Sequence, residues 1–389
     1  MMGGASAIGT CRLGRTAVEL PRLGIGCSNL GNRGRRMAAG EPDMLAAVAI
    51  ELGAHFFDVA PYYGFGLAER RLGDALRRPS FEHAIVSTKV GRLLVPDAWV
   101  DTSVPRNGFH SAMPFRPEFD YSYDGVMRSY EASLQRLGRA RTEILLVHDI
   151  GEFAHGPDHP RHLRKLLDGG LQALRDLKAS GAIDAFGLGV NETAVCHEIL
   201  DEADLDCILL AGRYTLLEQD SLDLLDRCLE CGTSIIAGGP YNSGLLAGGT
   251  RRTGALRYDY GEASALVLDR VRRIEAVCDA WDVPIAAAAL RFPLGHPAVA
   301  SVLPGLGSVA RVTETAGLLR HEISGGFWVD LRTAGLVSAS APIPWSPRRG
   351  LPPRSSEDTL QREAVTDRSQ RTVTAHSNKP APGSTRRRR

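Results

Sequence analysis

Four polar side chains stand where apolar runs of this chain end. Asp58 closes "HFFD", Lys89 closes "IVSTK", His148 closes "ILLVH" and Asn191 follows "FGLGV". Two adjacent tyrosines, Tyr62 and Tyr63, come just after Asp58. A phenol titrates near pH ~10, too high for an efficient proton acceptor at neutrality, and a neighbouring ammonium favours its ionised form. A lysine among apolar walls tends to lose its own charge unless a carboxylate holds it. Asp58 can therefore keep Lys89 charged beside a tyrosine, and His148 can orient a substrate hydroxyl or carbonyl, or assist the proton relay. An activated phenol of this kind is a general acid–base rather than an acyl nucleophile. The set suits carbonyl–alcohol interconversion in which another group carries the hydride.

Such a constellation needs a scaffold that brings distant segments to one place. Strand-like apolar runs occur at Leu23–Gly26, His55–Val59, Ala84–Lys89, Ile144–His148, Ala185–Val190, Cys207–Ala211, Ser234–Ala237 and Val299–Leu303. Each leads into a stretch of helical periodicity, directly or through a loop. Gly138, Gly181 and Gly232 read as left-handed helix stops, and Ser221 as an N-cap. Eight strand–helix units predict a parallel sheet closed into a (β/α)8 barrel, whose strands deliver their C-terminal residues to one mouth. A doubly wound open sheet is the rival, weakened because no G-x-G-x-x-G follows the first strand. "CRLGRTAVELPRLG" before that strand predicts a β-hairpin under the barrel, and Arg92–Tyr121 predicts a lid over the mouth.

Of 389 residues, 43% are hydrophobic, ample for one large core. The net charge of +1 conceals an asymmetry. Residues 346–389 carry 11 Lys/Arg against 4 Asp/Glu, leaving residues 1–345 with 35 against 41. We therefore expect a barrel domain over 1–345 and a disordered, basic Pro/Ser/Arg-rich tail over 346–389. No nucleic-acid partner is expected for the barrel. No apolar run approaches the ~20 residues of a membrane span, no signal-peptide pattern opens the chain, and seven scattered cysteines do not suggest a disulfide framework. The expected setting is cytoplasmic. Cys228 and Cys231 lie at the end of a helical stretch, where a redox or zinc pair is not favoured. The histidines of "HGPDHPRH" read as a solvated loop, so no metal is expected.

The stretches "FFDVAPYYGFGLAERRLGDAL", "FDYSYDGVMRSYEASLQRLG", "LLVHDIG", "FGLGVNE", "GGPYNSGLLAGG" and "AAAALRFPLGHPAVASVLPG" carry a resemblance to the aldo-keto reductase family across roughly residues 10–335. It is strongest to the sugar-oxidising branch (D-threo-aldose and L-fucose dehydrogenases), with pyridoxal dehydrogenation nearby. The resemblance implies a catalytic tetrad of Asp58, Tyr63, Lys89 and His148, the Asp-to-Tyr spacing selecting Tyr63 over Tyr62. It also implies an extended nicotinamide cofactor across the mouth. Asn191 would hold the carboxamide. Gly238, Gly239, Pro240, Tyr241, Ser243, Gly244 and Leu245 would line the ring and pyrophosphate, and Pro304, Gly305, Leu306, Arg311 and Glu314 the adenosine end. Three departures stand out. Gly238 replaces the tyrosine that stacks on the nicotinamide in many relatives, with Tyr241 or Tyr214 as possible substitutes. Gly305, Leu306 and Gly307 replace the usual 2′-phosphate cation, which favours NAD over NADP. Thr315 stands where an Asn is customary. Tyr62, Trp99, Phe109 and His110 would wall the substrate.

Together these imply an NAD(P)-dependent aldose 1-dehydrogenase acting on a small sugar, with Tyr63 as general base and a lactone as product. The same residues could serve a carbonyl reductase or a pyridoxal-type aldehyde. A cofactor-binding regulatory subunit is the alternative of another class.

Overall fold

The computed structural model describes residues 8–259 and 261–344. The tail expected over 346–389 lies outside the described residues. Eight parallel strands follow one another in chain order: β1 Ile25–Gly26, β2 Phe56–Asp58, β3 Ile85–Val90, β4 Ile144–His148, β5 Ala185–Val190, β6 Cys207–Ala211, β7 Ser234–Gly238 and β8 Val299–Leu303. Each strand pairs with its sequence neighbours, and parallel bridges Leu23↔Val302 and Gly26↔Gly305 join the first to the last. The result is the expected (β/α)8 barrel, not an open doubly wound sheet.

Alternation along the strands explains how the barrel is filled. In β4, Leu145 and Val147 belong to the outer core under the helices, whereas Ile144 and Leu146 belong to the inner one. His148, two residues beyond Leu146, falls on the inward parity. The same parity puts Phe56 and Asp58 on one side of β2 while Phe57 packs outward. Inward residues low in the barrel are apolar, and those at the C-terminal edge are Asp58, Lys89 and His148.

The N-terminal hairpin forms as expected, Thr10–Arg12 pairing antiparallel with Glu19–Pro21. Its Leu13, Val18 and Leu20 join the inner core with Phe56 and Ile236, closing the barrel floor. The predicted lid is a second hairpin, Arg92–Pro96 paired with Phe115–Phe119.

Outside the sheet lie α1 Glu41–Glu51, α2 Leu67–Ala75, α3 Tyr123–Leu137, α4 Leu171–Ala179, α5 Ala194–Glu202, α6 Leu222–Cys231, α7 Ala265–Ala280, α8 Ile285–Arg291, α9 Val309–Arg320 and α10 Gly325–Thr333. Gly138 and Gly232 end α3 and α6 in the left-handed conformation, at φ 62° and 69°. Ser221 makes no side-chain cap for α6, because its hydroxyl donates to the Arg213 carbonyl at 2.7 Å instead. No described helix is long and apolar enough to cross a membrane.

Candidate active site

The register of β2 and β3 sets Asp58 opposite Ser87, two residues before Lys89. Lys89 Nζ donates to Asp58 Oδ1 and Oδ2 at 2.8 and 2.7 Å and to the Val59 carbonyl at 3.0 Å. Ser87 Oγ adds a 2.7 Å bond to Asp58 Oδ1. Asp58 and Lys89 are each 2% exposed, so this is a fully buried, fully bonded ion pair. Burial alone would strip the ammonium of its proton. Asp58 and Tyr63 outweigh it and hold the Lys89 pKa above its ordinary value. Gly189 gives the lysine room: a Cβ there would come within 3.2 Å of Lys89 Cε.

The two tyrosines face different cations. The Lys89 ammonium lies 5.0 Å from the centroid of the Tyr63 ring, whereas the Arg92 guanidinium lies 4.4 Å from that of Tyr62. The turn that carries them rests backbone on backbone against Gly31. At Gly64 (φ +66°) a Cβ would meet the Gly31 oxygen at 2.6 Å. Burial pushes the Tyr63 phenol up to about 12, against the pull of Lys89. The sequence led us to expect a phenol acidified by Lys89. The structure corrects this for the free chain, because burial dominates and Asp58 opposes the lysine's charge.

His148 is 5% exposed, its ring edge-on to both Tyr63 and Tyr62 at 6.0 and 6.3 Å. Burial, reinforced by the charges of Arg92 and Lys89, takes its pKa well below the ordinary value, so the imidazole is neutral. Its carbonyl accepts a 2.8 Å bond from the Tyr121 hydroxyl. Phe109, fully buried, packs against Tyr62, Tyr63 and Phe65 and walls this side of the site. His110 is tied to Asn32 by backbone and amide hydrogen bonds of 3.1 and 2.9 Å. Trp99 does not join them. It lies in the loop of the lid hairpin, 95% exposed.

Beside the tetrad runs a cavity of about 830 Å³, with Asp58 and Tyr63 in its lining. Of the residues expected to meet a nicotinamide dinucleotide, Asn191, Gly238, Gly239, Pro240, Tyr241, Ser243, Gly244, Pro304, Gly305, Leu306, Arg311 and Glu314 all line it. Leu245 does not, because its side chain is buried in the outer core. Tyr214 is also in the core, packed against Phe292 and His296, and cannot stack on a nicotinamide. Tyr241 bonds to Thr315, away from the tetrad.

Two observations test whether the cavity fits such a cofactor. Gly238 lines the same cavity as Asp58 and Tyr63 without a side chain, and a Cβ there would fall 2.9 Å from Leu209 Cδ2, so the close packing at this wall requires glycine. Six arginines (Arg33, Arg35, Arg213, Arg252, Arg257 and Arg311) line the cavity, three of them facing a carboxylate (Arg35 with Glu41, Arg213 with Asp259, Arg311 with Glu314), and α9 opens on it, capped by Ser308. That charge, with free amides at a helix start, suits a diphosphate. The donor set fits.

Sequence reasoning missed Arg33 and Arg35, which follow β1, and Arg213, Arg252 and Arg257, which follow β6 and β7. The clue was "SNLGNRGRR", basic and glycine-rich immediately after a barrel strand. Arg35 Nη2 donates to the Gly307 carbonyl at 2.6 Å and so reaches the segment that appeared to lack a cation. It also binds Glu41, through Nη1 at 3.0 Å and through Nη2.

Known proteins agree with this architecture. The profile of the Aldo/keto reductase family matches residues 22–333. The chain is 42% identical over 335 residues to the pyridoxal 4-dehydrogenase of Microbacterium luteolum, covering 84% of this chain and 97% of that protein. It is 38% identical over 328 residues to the D-threo-aldose 1-dehydrogenase of a Pseudomonas species, covering 82% and 95%. Among solved structures, the holo form of an aldo-keto reductase from Bacillus halodurans superposes with a TM-score of 0.65 at 22% identity, over 88% of this chain and all of that one.

Proposed function

The chain belongs to the aldo/keto reductase family and is an NAD(P)-dependent oxidoreductase, and on that premise we propose that it oxidises a cyclic hemiacetal to a lactone. Aldoses close to hemiacetals at C1, and pyridoxal closes to one through its neighbouring hydroxymethyl group. One reaction class therefore covers the substrates in the names of both relatives. We favour an aldose of the L-fucose or D-threo type, with pyridoxal as the second reading, favoured by the higher identity to the pyridoxal enzyme. The observation that carries the proposal is the buried Asp58–Lys89 pair beneath Tyr63, with neutral His148 alongside.

Tyr63, as phenolate, takes the proton of the hemiacetal hydroxyl. Lys89 steadies the phenolate, and Asp58 keeps Lys89 protonated and aimed. His148, uncharged, orients the substrate oxygen without competing for the proton. The nicotinamide cofactor, when bound, supplies the hydride acceptor. Asn191, Gly238 and Gly239 would hold its ring end, and the arginines and α9 its phosphates. The hydroxyl proton and the hydride from the same carbon leave together, converting the C–OH to C=O. We further propose NAD as the preferred cofactor. Arg35 is engaged by Glu41, and Arg311 lies 3.3 Å from Glu314, so each cation near the adenosine end already has a carboxylate. A barrel of this form that only senses cofactor would not need the buried acid–base set. The deciding measurement is nicotinamide reduction at 340 nm with NAD and NADP against L-fucose, D-arabinose, L-galactose and pyridoxal. Turnover of none of them, with aldehyde reduction intact, would sink the proposal.

A further inference from the structure

Beside His148, outside the lining of the cofactor cavity, lies a second polar pair that the proton chemistry above does not use. Arg92 opens the lid hairpin three residues after Lys89, and Asp149 directly follows His148. They form an ion pair, with Arg92 9% exposed and the Asp149 side chain at 23%. The guanidinium lies 4.4 Å from the centroid of the Tyr62 ring and 5.1 Å from that of Phe119, so its plane is fixed by two aromatic rings. Asp149 Oδ2 is also 3.5 Å from His148 Nε2, which places the pair at the substrate oxygen's own anchor. Asp149 adopts φ 44°, in the left-handed region that Asp visits more readily than most residues. Two buried nitrogens here, Arg92 Nε and His148 Nδ1, have no hydrogen-bond partner among the described residues. The buried Arg92 N–H left unmatched is costly, and it marks a polar site short of a partner.

We infer that the Arg92–Asp149 pair selects substrates carrying a hydroxyl on the carbon next to the reacting one. The inference rests on the reading of the acid–base site above and narrows its substrate class. The pair is neutral overall but offers a fixed donor fork and a carboxylate side by side. A hydroxyl matches both, donating to Asp149 and accepting from Arg92. A substrate carboxylate or phosphate would meet Asp149 and be repelled, so acidic sugars and sugar phosphates are disfavoured. In an aldose the matching group is the 2-hydroxyl; pyridoxal carries its ring hydroxyl one carbon further from the reacting centre, so the inference favours the aldose reading. A site built to bond a hydroxyl discriminates strongly against the analogue that lacks it, because its own polar groups are then left unmatched.

The test compares kcat/KM within matched pairs: L-fucose against 2-deoxy-L-fucose in oxidation, and 2-hydroxypropanal against propanal in reduction. We expect the native enzyme to favour the hydroxylated partner by ~100-fold or more, and Asp149→Asn and Arg92→Gln to bring that ratio below ~5-fold. A residue that only supports the fold would lower both members equally and leave the ratio intact. The double variant Arg92→Gln/Asp149→Asn leaves no buried charge unpaired and keeps the test open if a single variant does not fold. An unchanged ratio in the variants, or a native ratio near one, overturns the inference even if L-fucose is oxidised. A large native ratio on the aldehydes alone, abolished in the variants, upholds it while removing the aldose reading. Activity on neither pair removes both.

Discussion

Tyr63 is where two electrostatic effects oppose each other, and burial prevails in the free chain, pushing the phenol up to about 12. Its conjugate base is therefore scarce at neutrality and grows about tenfold per pH unit below that value. We expect kcat/KM for oxidation to climb steadily from pH 7 to 10 while kcat/KM for reduction, which needs the protonated phenol, stays level. Parallel initial-rate profiles in the two directions check this, and a flat oxidation profile would rule Tyr63 out as the base. Tyr63→Phe keeps the ring and deletes the proton. It should cost ~10²–10⁴-fold in turnover with cofactor affinity, read by fluorescence titration, nearly unchanged. A near-native rate in that variant with an inactive Tyr62→Phe would reassign the role. The buried ion pair gives a further test. Asp58→Asn leaves Lys89 without its counter-charge and should cost about 3–5 kcal/mol of stability, measurable by urea denaturation.

The elements around the cavity explain what could and could not be read ahead. The alternation of β2, β3 and β4 was legible, because a strand that buries both faces is apolar throughout and a polar terminal residue on the inward parity is conspicuous. Asp58, Lys89 and His148 stood out for that reason. Arg35 did not, since the basic, glycine-rich stretch that holds it says nothing of which distant segment it meets. Only ring closure sets the loop after β1 beside the loop after β8, so that Arg35 meets Gly307 across 272 residues of sequence. Trp99 misled in the opposite way: an aromatic residue in a lid suggests a pocket wall, yet the hairpin turns it to solvent. The same closure bears on the cofactor. With Glu41 and Glu314 beside the available arginines, NAD should exceed NADP in kcat/KM by at least ~10-fold. Glu41→Gln should shift that ratio toward NADP by releasing Arg35. Steady-state kinetics with both cofactors decide it, and an NADP preference in the native enzyme would contradict the assignment.

At the scale of the whole molecule, the eight barrel strands and α1 to α10 all lie within the described residues, which end at 344. The composition beyond Trp345 offers little apolar surface to bury, and α10, ending at Thr333, already packs Phe327 and Trp328 into the core. Removing residues 346–389 should leave the melting temperature within about 2 °C and turnover unchanged. Scanning calorimetry and the 340 nm assay read both, and a marked loss would place the segment over the barrel. The N-terminal hairpin has a consequence for traffic rather than for stability. Because Leu13, Val18 and Leu20 stop the barrel at its floor, what reaches Tyr63 comes, among the described residues, through the mouth. The dinucleotide cavity runs along the wall of that entrance and includes Tyr63 itself, with the Arg92–Asp149 side nearer the lid. A sugar seated first would stand in the way of the longer molecule. The enzyme should therefore fill and empty in a fixed queue: dinucleotide in first, sugar second, lactone out, reduced dinucleotide last.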